Sequence, residues 1–275
     1  MEIEILSAQF DLQEANRYSL WLTLGDSECA FAVLNDVTKT FIWVKRVKQT
    51  SFTKTIALFN ELSAIPFAQV VVELDLQPSI LVPSVLYQYS HKRDFLSFSA
   101  ELSSEQDVME HALPSLSLVN LFAIAPSIKT FIAPYFSKAK FVHNTSALLL
   151  AIQSLSRSVP EQPAMGALLS EANIYLCLFE SGKLLFANNF SVKTKEDAAY
   201  WVLRLFDQFS LNITQVQLYL QGIEHLFDER ALLLKQYISH VNLLPSPAVF
   251  TLAPELKSEQ LHSFTDLFYL PLCEL

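Results

Sequence analysis

The sequence predicts an α/β protein made of two similar halves. Three observations carry this reading. A β-β-β-α-β-α order of elements is stated twice along the chain. The two statements agree in spacing, since Ala30 to Val70 spans 40 residues and Tyr175 to Val216 spans 41. The 275 residues, 51% hydrophobic and 17% charged, are numerous and apolar enough to bury a core under each sheet. The expected domains are 1–158 and 159–275.

In the first half, Tyr18–Leu24, Cys29–Leu34 and Thr40–Val47 are rich in Trp, Phe, Val and Ile and are separated by Gly-Asp-Ser and Asn-Asp turns, so they read as strands. Ser51 reads as an N-cap for a helix whose apolar positions are Phe52, Ile56, Phe59 and Leu62, with Pro66 ending the element. Gln69–Leu74 reads as a buried strand, parallel to a neighbour because a helix precedes it. Further strands are expected at Phe95–Glu101, Val108–Leu113, Val119–Ile124 and Lys140–His143. Helices are expected over Ser127–Phe136 and from Thr145 to about Ser156.

The run Ser158-Val159-Pro160-Glu161-Gln162-Pro163 has two prolines and no periodicity, so it reads as a linker. The pattern then restarts with strands at Met165–Leu169, Ile174–Phe179 and Lys183–Phe190. Thr194, with Asp197 three residues on, caps a helix whose apolar stripe is Ala198, Val202, Leu205 and Phe209. A strand at Gln215–Leu220, a helix over Glu229–Ser239, a strand at Val249–Leu252 and a terminal helix near Lys257–Leu267 complete this half. A duplicated three-stranded meander feeding a strand–helix–strand unit describes the paired subdomains of the actin-like ATPase (ribonuclease H-like) fold.

Several segments also carry a family likeness. They are Leu81-Val82-Pro83, Asn120-Leu121-Phe122-Ala123-Ile124, His143-Asn144-Thr145-Ser146 and Leu185-Phe186-Ala187-Asn188-Asn189-Phe190, followed by Thr194-Lys195-Glu196-Asp197 leading to Tyr200, and Leu220-Gln221-Gly222. Taken in order, they resemble an uncharacterised bacterial family, domain of unknown function 3822, over nearly the whole chain. The resemblance implies an actin-like fold and a relation to actin-like scaffolds of pilus and secretion machines. It implies no substrate.

Only four glycines occur, Gly25, Gly166, Gly182 and Gly222. Phosphate loops need glycine because bare backbone must approach the ligand. Actin-like ATPases place an Asp-x-Gly element at the first hairpin of each subdomain, where the aspartate orients water around Mg²⁺. Here the first hairpin reads Leu24-Gly25-Asp26-Ser27-Glu28, with glycine and carboxylate in reverse order. The second reads Leu169-Ser170-Glu171-Ala172-Asn173 and has neither. Gly222 follows the strand that would end at the adenosine, as a family remnant or as a simple turn residue. If nucleotide binds, the residues to hold it are Gly25, Asp26, Ser27 and Gly222. Gly25-Asp26-Ser27 as a plain β-turn needs no ligand, and the missing partner hairpin favours that reading.

Other chemistries lack their residues. The sequence has no Gly-x-Ser-x-Gly, Cys-x-x-Cys or His-Glu-x-x-His motif. His143, before Thr145 and Ser146, is the most site-like histidine, and the reading preferred for it is a hydrogen-bonded structural role beside a helix N-cap. Glu196 and Asp197 fit the first turn of a helix. Cys29, Cys177 and Cys273 are too scattered for a disulfide framework or a zinc cluster. No cofactor and no metal are expected.

Residues 1–157 carry 12 Lys and Arg against 15 Asp and Glu, net −3, and the rest is net −6, so neither half offers a surface for a nucleic-acid backbone. The acidic start Met1-Glu2-Ile3-Glu4 is unlike a signal peptide, and the uncharged run Ala112–Ile128 is broken by Pro114 and Pro126, so a cytoplasmic location without a membrane span is expected. The leading expectation is a non-catalytic actin-fold protein, a pseudo-ATPase acting through a protein partner or self-association. The rival is a divergent ATPase or small-molecule kinase using an interdomain cleft. A metabolite-binding module in that cleft is a third reading.

Overall fold

Hydrophobic strands separated by short polar turns build two sheets of the same design. The computed structural model describes residues 2–25, 28–48, 52–75, 78–223, 225–256 and 264–274. Its first compact unit comprises Met1–Ser146, Ala248–Ser258 and Cys273–Leu275; its second comprises Ala147–Pro247 and Glu259–Leu272. The division falls inside one helix, between Ser146 and Ala147.

The first unit begins with β1 (Glu2–Leu6), β2 (Tyr18–Leu24), β3 (Glu28–Asn35), β4 (Thr40–Lys48), α1 (Phe52–Ser63) and β5 (Gln69–Leu74). It continues with β6 (Ser79–Pro83), α2 (Lys92–Ser97), β7 (Asp107–Leu113), β8 (Leu118–Ile124), α3 (Pro126–Ile132) and β9 (Lys140–His143). Next comes α4 (Asn144–Ser158), which carries the chain into the second unit's β10 (Ala164–Leu169), β11 (Asn173–Glu180), β12 (Lys183–Ser191) and α5 (Lys195–Gln208). The remaining elements are β13 (Gln217–Gln221), α6 (Glu229–Leu234), β14 (His240–Leu243), β15 (Thr251–Leu252) and α7 (Thr265–Tyr269).

The first sheet runs β1-β4-β3-β2-β5-β9, with β15 also on β4; the second runs β12-β11-β10-β13-β14. Within them, β4-β3-β2-β5-β9 and β12-β11-β10-β13-β14 match strand for strand, and the senses match as well. The three meander strands are antiparallel and the two following strands parallel in each. Each meander shifts register once, between Val33 and Leu34 in the first and between Leu178 and Phe179 in the second. Those positions correspond when Ala30 is laid on Tyr175. A bulge kept at one place in both halves is the backbone signature of a duplication. The insertion between β5 and β9 adds a three-stranded sheet, β6-β8-β7.

Burial explains the strand composition. β3 is buried from Cys29 to Leu34 and β11 from Ile174 to Phe179, so both read as continuous apolar runs rather than alternating ones. The second core gathers Ala198, Val202 and Leu205 of α5 against Leu176 and Leu178 of β11 and Leu218 of β13. A Cβ on Gly166 would lie 2.5 Å from Ile152 Cγ1 and 2.8 Å from Cys177 Sγ, so its bare backbone lets α4 pack closely on β10 and β11. The thiols of Cys29 and Cys177 are both pushed up to about 12 by burial, which leaves them protonated and unreactive. In the folded protein both are expected to resist alkylation by a maleimide at pH 8, and full labelling should require denaturant.

Three expectations are corrected. The segment expected as a strand over Phe95–Glu101 instead contains the end of α2, with Phe95 and Leu96 packed on the small sheet; a short apolar run does not distinguish helix from strand. The helix expected over Glu229–Ser239 ends at Leu234, and β14 follows it. The strand expected over Val249–Leu252 is the two-residue β15, and it pairs with β4 in the first unit's sheet rather than within the second half. β1 and β6 were not expected at all. The Ser51 cap and residues 257–263 of the expected terminal helix lie outside the described residues.

Candidate functional site

In each sheet the turn between the first two meander strands lies at the carboxyl ends of the parallel strands, the end where open α/β sheets bind ligands. Both turns close with the same bond: Gly25 N–H donates to the Glu28 carbonyl at 3.0 Å, and Ser170 N–H to the Asn173 carbonyl at 2.9 Å. Asp26 and Ser27 lie outside the described residues. Gly25 is in the first unit and Gly222 in the second. Among the described residues, a Cβ added at Gly25 would meet only the Glu28 carbonyl, at an ordinary contact distance of 3.5 Å.

The second turn is closed on itself. Ser170 Oγ donates to the Asn173 carbonyl at 3.1 Å and accepts from Asn173 N–H at 3.0 Å. Arg230 Nη1 also donates to the Ser170 carbonyl at 3.2 Å. Gly222, at the end of β13, has φ +84°, and a Cβ there would fall 2.0 Å from the Leu169 carbonyl oxygen. Its glycine is therefore explained by close approach of two backbones, with no ligand required.

Beside this turn lies an open concavity of roughly 400 Å³, lined by Glu171, Lys193, Lys195, Asp228, Glu229 and Arg230 among others. These six charges balance. Lys195 pairs with Glu229 at 2.9 Å, and Arg230 grips Asp228 through Nε at 3.0 Å and Nη2 at 2.9 Å. The Arg230 guanidinium, outweighing the opposing effect of burial, holds the Asp228 carboxyl below its ordinary value. α5 starts here with a full capping box: Thr194 Oγ1 accepts from Asp197 N–H at 3.1 Å, and the Asp197 carboxylate accepts from Thr194 N–H at 3.0 Å. Glu196 and Asp197 thus sit in a first helical turn, with Asp197 committed to capping. The helix end is already satisfied by its own side chains.

In the first unit, His143 is fully buried at the end of β9. Its Nδ1 lies 2.7 Å from Thr145 Oγ1 and accepts from Thr145 N–H at 3.3 Å. Asn120 of β8 donates through Nδ2 to Thr145 Oγ1 and Ser146 Oγ, both at 3.0 Å. His143 Nδ1 thus meets both the hydroxyl and the backbone N–H of Thr145, while Asn120 holds that hydroxyl from the other side. The cluster joins β8, β9 and the start of α4.

Two groups escaped the sequence reading. Glu73 of β5 is buried and accepts from Thr23 Oγ1 at 2.9 Å, two residues before Gly25; a carboxylate within Val70–Leu74 was the available signal. Burial, then the charges of Glu73 and Glu274, raise the Cys273 thiol well above its ordinary value. His111 of β7 is the other; its Nε2 lies 3.0 Å from the Cys273 carbonyl and donates to it. Burial lowers the His111 pKa below 6.5, against the Cys273 carbonyl and Glu274, which raise it, and with Lys140, which lowers it. The unfolded chain therefore binds the proton more readily than the folded one. Stability should fall as pH drops from 6.5 to the lower folded-state value and level off below it, as far as this group is concerned. Urea midpoints between pH 7.5 and 5 check this, and His111→Gln should flatten that part of the profile.

Among the described residues no group of three or more His, Cys, Asp or Glu could hold a metal ion, and no helix is long and apolar enough to cross a membrane. The model of a family described as "Protein of unknown function (DUF3822)" matches residues 7–241. The chain belongs to that family. Among solved structures, it is similar to a Bacteroides thetaiotaomicron protein with an actin-like ATPase fold and unknown function. That match has a TM-score of 0.74 at 19% identity and covers 94% of this chain and 99% of the other. It is also similar to a chain of the PilM–PilN type IV pilus biogenesis complex, with a TM-score of 0.60 at 13% identity, covering 93% of this chain and 96% of that one. No curated protein matches significantly. The expected actin-like fold is what these likenesses show.

Proposed function

We propose that this DUF3822 member is a non-catalytic actin-like-fold protein that works by binding protein, a partner or a second copy of itself. The observation carrying this reading is the closed second hairpin. Its Ser170 and Asn173 backbone groups bond to one another and to the Ser170 side chain, and Arg230, whose guanidinium reaches the turn, is spent on Asp228 and the Ser170 carbonyl. The adjoining six charges cancel, so the surface offers no net positive field to a triphosphate. The PilM–PilN structure supports the reading by analogy, because there a chain of similar fold stands in a protein complex.

Thermal unfolding with and without Mg²⁺–ATP tests it. No shift is expected. Nucleotide at 100 times its Kd would add about 2.7 kcal/mol of stability, and such a gain would overturn the proposal.

One observation favours a second reading, a divergent nucleotide-binding enzyme. Gly25 has neither a crowded Cβ position nor a positive φ to explain it. Under the non-catalytic reading, Gly25→Ala should be neutral or stabilise by up to about 1 kcal/mol. Under the second, the same change should abolish an ATP-dependent shift.

A further inference from the structure

The duplicated sheets differ at their outer edge. In the first unit β4 is covered by β1, which pairs antiparallel along Trp43–Val47. Laying Ala32 on Cys177 and following the registers, Trp43–Val47 correspond to Phe186–Phe190 of β12. Among the described residues, β12 ends its sheet and pairs with β11 alone. A five-residue antiparallel seat that one unit fills is open in the other.

Apart from the register shift at Leu185, just outside it, the seat lacks the devices that protect edge strands. From Leu184 to Val192 the sequence LLFANNFSV holds no charge and no proline. Its equivalent in β4 holds Lys45, bridged to Glu2 at 3.4 Å and Glu4 at 2.9 Å of the covering strand, whereas β12 has exposed Asn188 at that position. Alongside runs an aromatic row: Phe186 and Phe190 stack at 6.2 Å, Phe190 and Trp201 at 4.1 Å, and Tyr200 lies edge-on to Trp201 at 5.1 Å.

We propose that β12 pairs antiparallel with β12 of a second copy of this chain, on a two-fold axis through Asn188. In that register Asn188 faces Asn188 and Phe186 faces Phe190, so the aromatic rows of the two copies become cross-strand partners. The occupant follows from charge as well as shape. Two chains of net charge −9 repel each other overall, and a seam without charges adds no like-charge pair to that repulsion. The charges at its ends, Lys183 and Lys193, each lie beside a carboxylate of their own chain: Glu180 is paired with Lys183 across β11, and Lys193 acts on Asp197. The proposal rests on the protein-binding reading and names one surface and one partner for it.

The test is Asn188→Cys under mild oxidation. Directly opposed antiparallel residues have Cα atoms about 4.5–5.5 Å apart, within disulfide reach. Asn188→Cys should give a covalent dimer, whereas Ser191→Cys, about 20 Å from its own copy in this register, should not. Asn188→Lys and Asn188→Asp should each weaken the dimer roughly fivefold by sedimentation, and mixing the two should restore it. Circular dichroism confirms that the variants fold. A monomer at 100 μM, equal cross-linking at both positions, or no rescue on mixing would overturn the pairing. If the monomer still captures another protein, the self-pairing fails while the broader reading survives. If Mg²⁺–ATP stabilises a dimer that cross-links at position 188, the non-catalytic reading fails and the pairing stands.

Discussion

Gly222→Ala is expected to destabilise the protein by about 3 kcal/mol, from a left-handed backbone that an L side chain adopts at a cost of 1–2 kcal/mol and a clash that no rotamer relieves. Gly222 has φ +84°, and the atom its Cβ would strike at 2.0 Å is the backbone oxygen of Leu169, with the Leu169 carbonyl carbon at 3.0 Å. Backbone cannot swing aside as a side chain can. The end of β13 would have to draw away from β10, where Leu168 pairs with Gln221, and the Ser170–Asn173 turn begins at the next residue. Urea unfolding measures the loss. A cost below about 1 kcal/mol would mean that the turn relaxes freely and that glycine is kept there for another reason. Gly25→Ala is the matched control, since among the described residues nothing crowds that Cβ position and its φ is not positive.

These two glycines mark what the sequence could and could not disclose. Both were visible as the residues an actin-like site would want, but the reason for Gly222 lies across a strand pair, in a carbonyl 53 positions earlier. The same limit governs the fold. The meander strands and the helices after them were legible because their burial is local and repetitive: Cys29–Leu34 is apolar throughout, and Thr194 and Asp197 form their cap within four residues. β1 carries a clear alternation, Glu2-Ile3-Glu4-Ile5, yet as a strand it depends on β4 forty residues away, where Glu4 meets Lys45 and Trp43 Nε1 donates to Glu4 Oε1 at 3.0 Å. β15 is two residues long, and nothing in Thr251–Leu252 announces a partner at Thr40 and Phe41. For the candidate site, the absent second glycine was legible. The closing of that turn by Arg230, 60 residues on, was not.

Phe59→Ala should have the largest effect of any single change considered, about 4 kcal/mol, in the range measured for deleting a fully enclosed aromatic. Phe59 is wholly buried on α1 and is ringed by aromatics from α3 and the turn after it. Its centroid lies 5.4 Å from each of Phe131, Tyr135 and Phe136, stacked on the first and edge-on to the other two. Removing the ring takes one partner from three aromatic pairs at once and leaves a cavity that rigid neighbours cannot fill. Phe59→Leu separates these contributions: it restores most of the volume without the ring geometry, so it should cost about 1.5 kcal/mol. Equal losses for the two variants would show that ring contacts, rather than the cavity, set the cost. Because a domain's whole stability is about 5–15 kcal/mol, Phe59→Ala should bring the first unit near its unfolding threshold at ordinary temperature. Hydrogen exchange should then show protection lost first in α1 and α3, while β10, β11 and α5, whose core does not include this cluster, stay protected. Uniform loss across both units would instead show that the two halves unfold as one cooperative body.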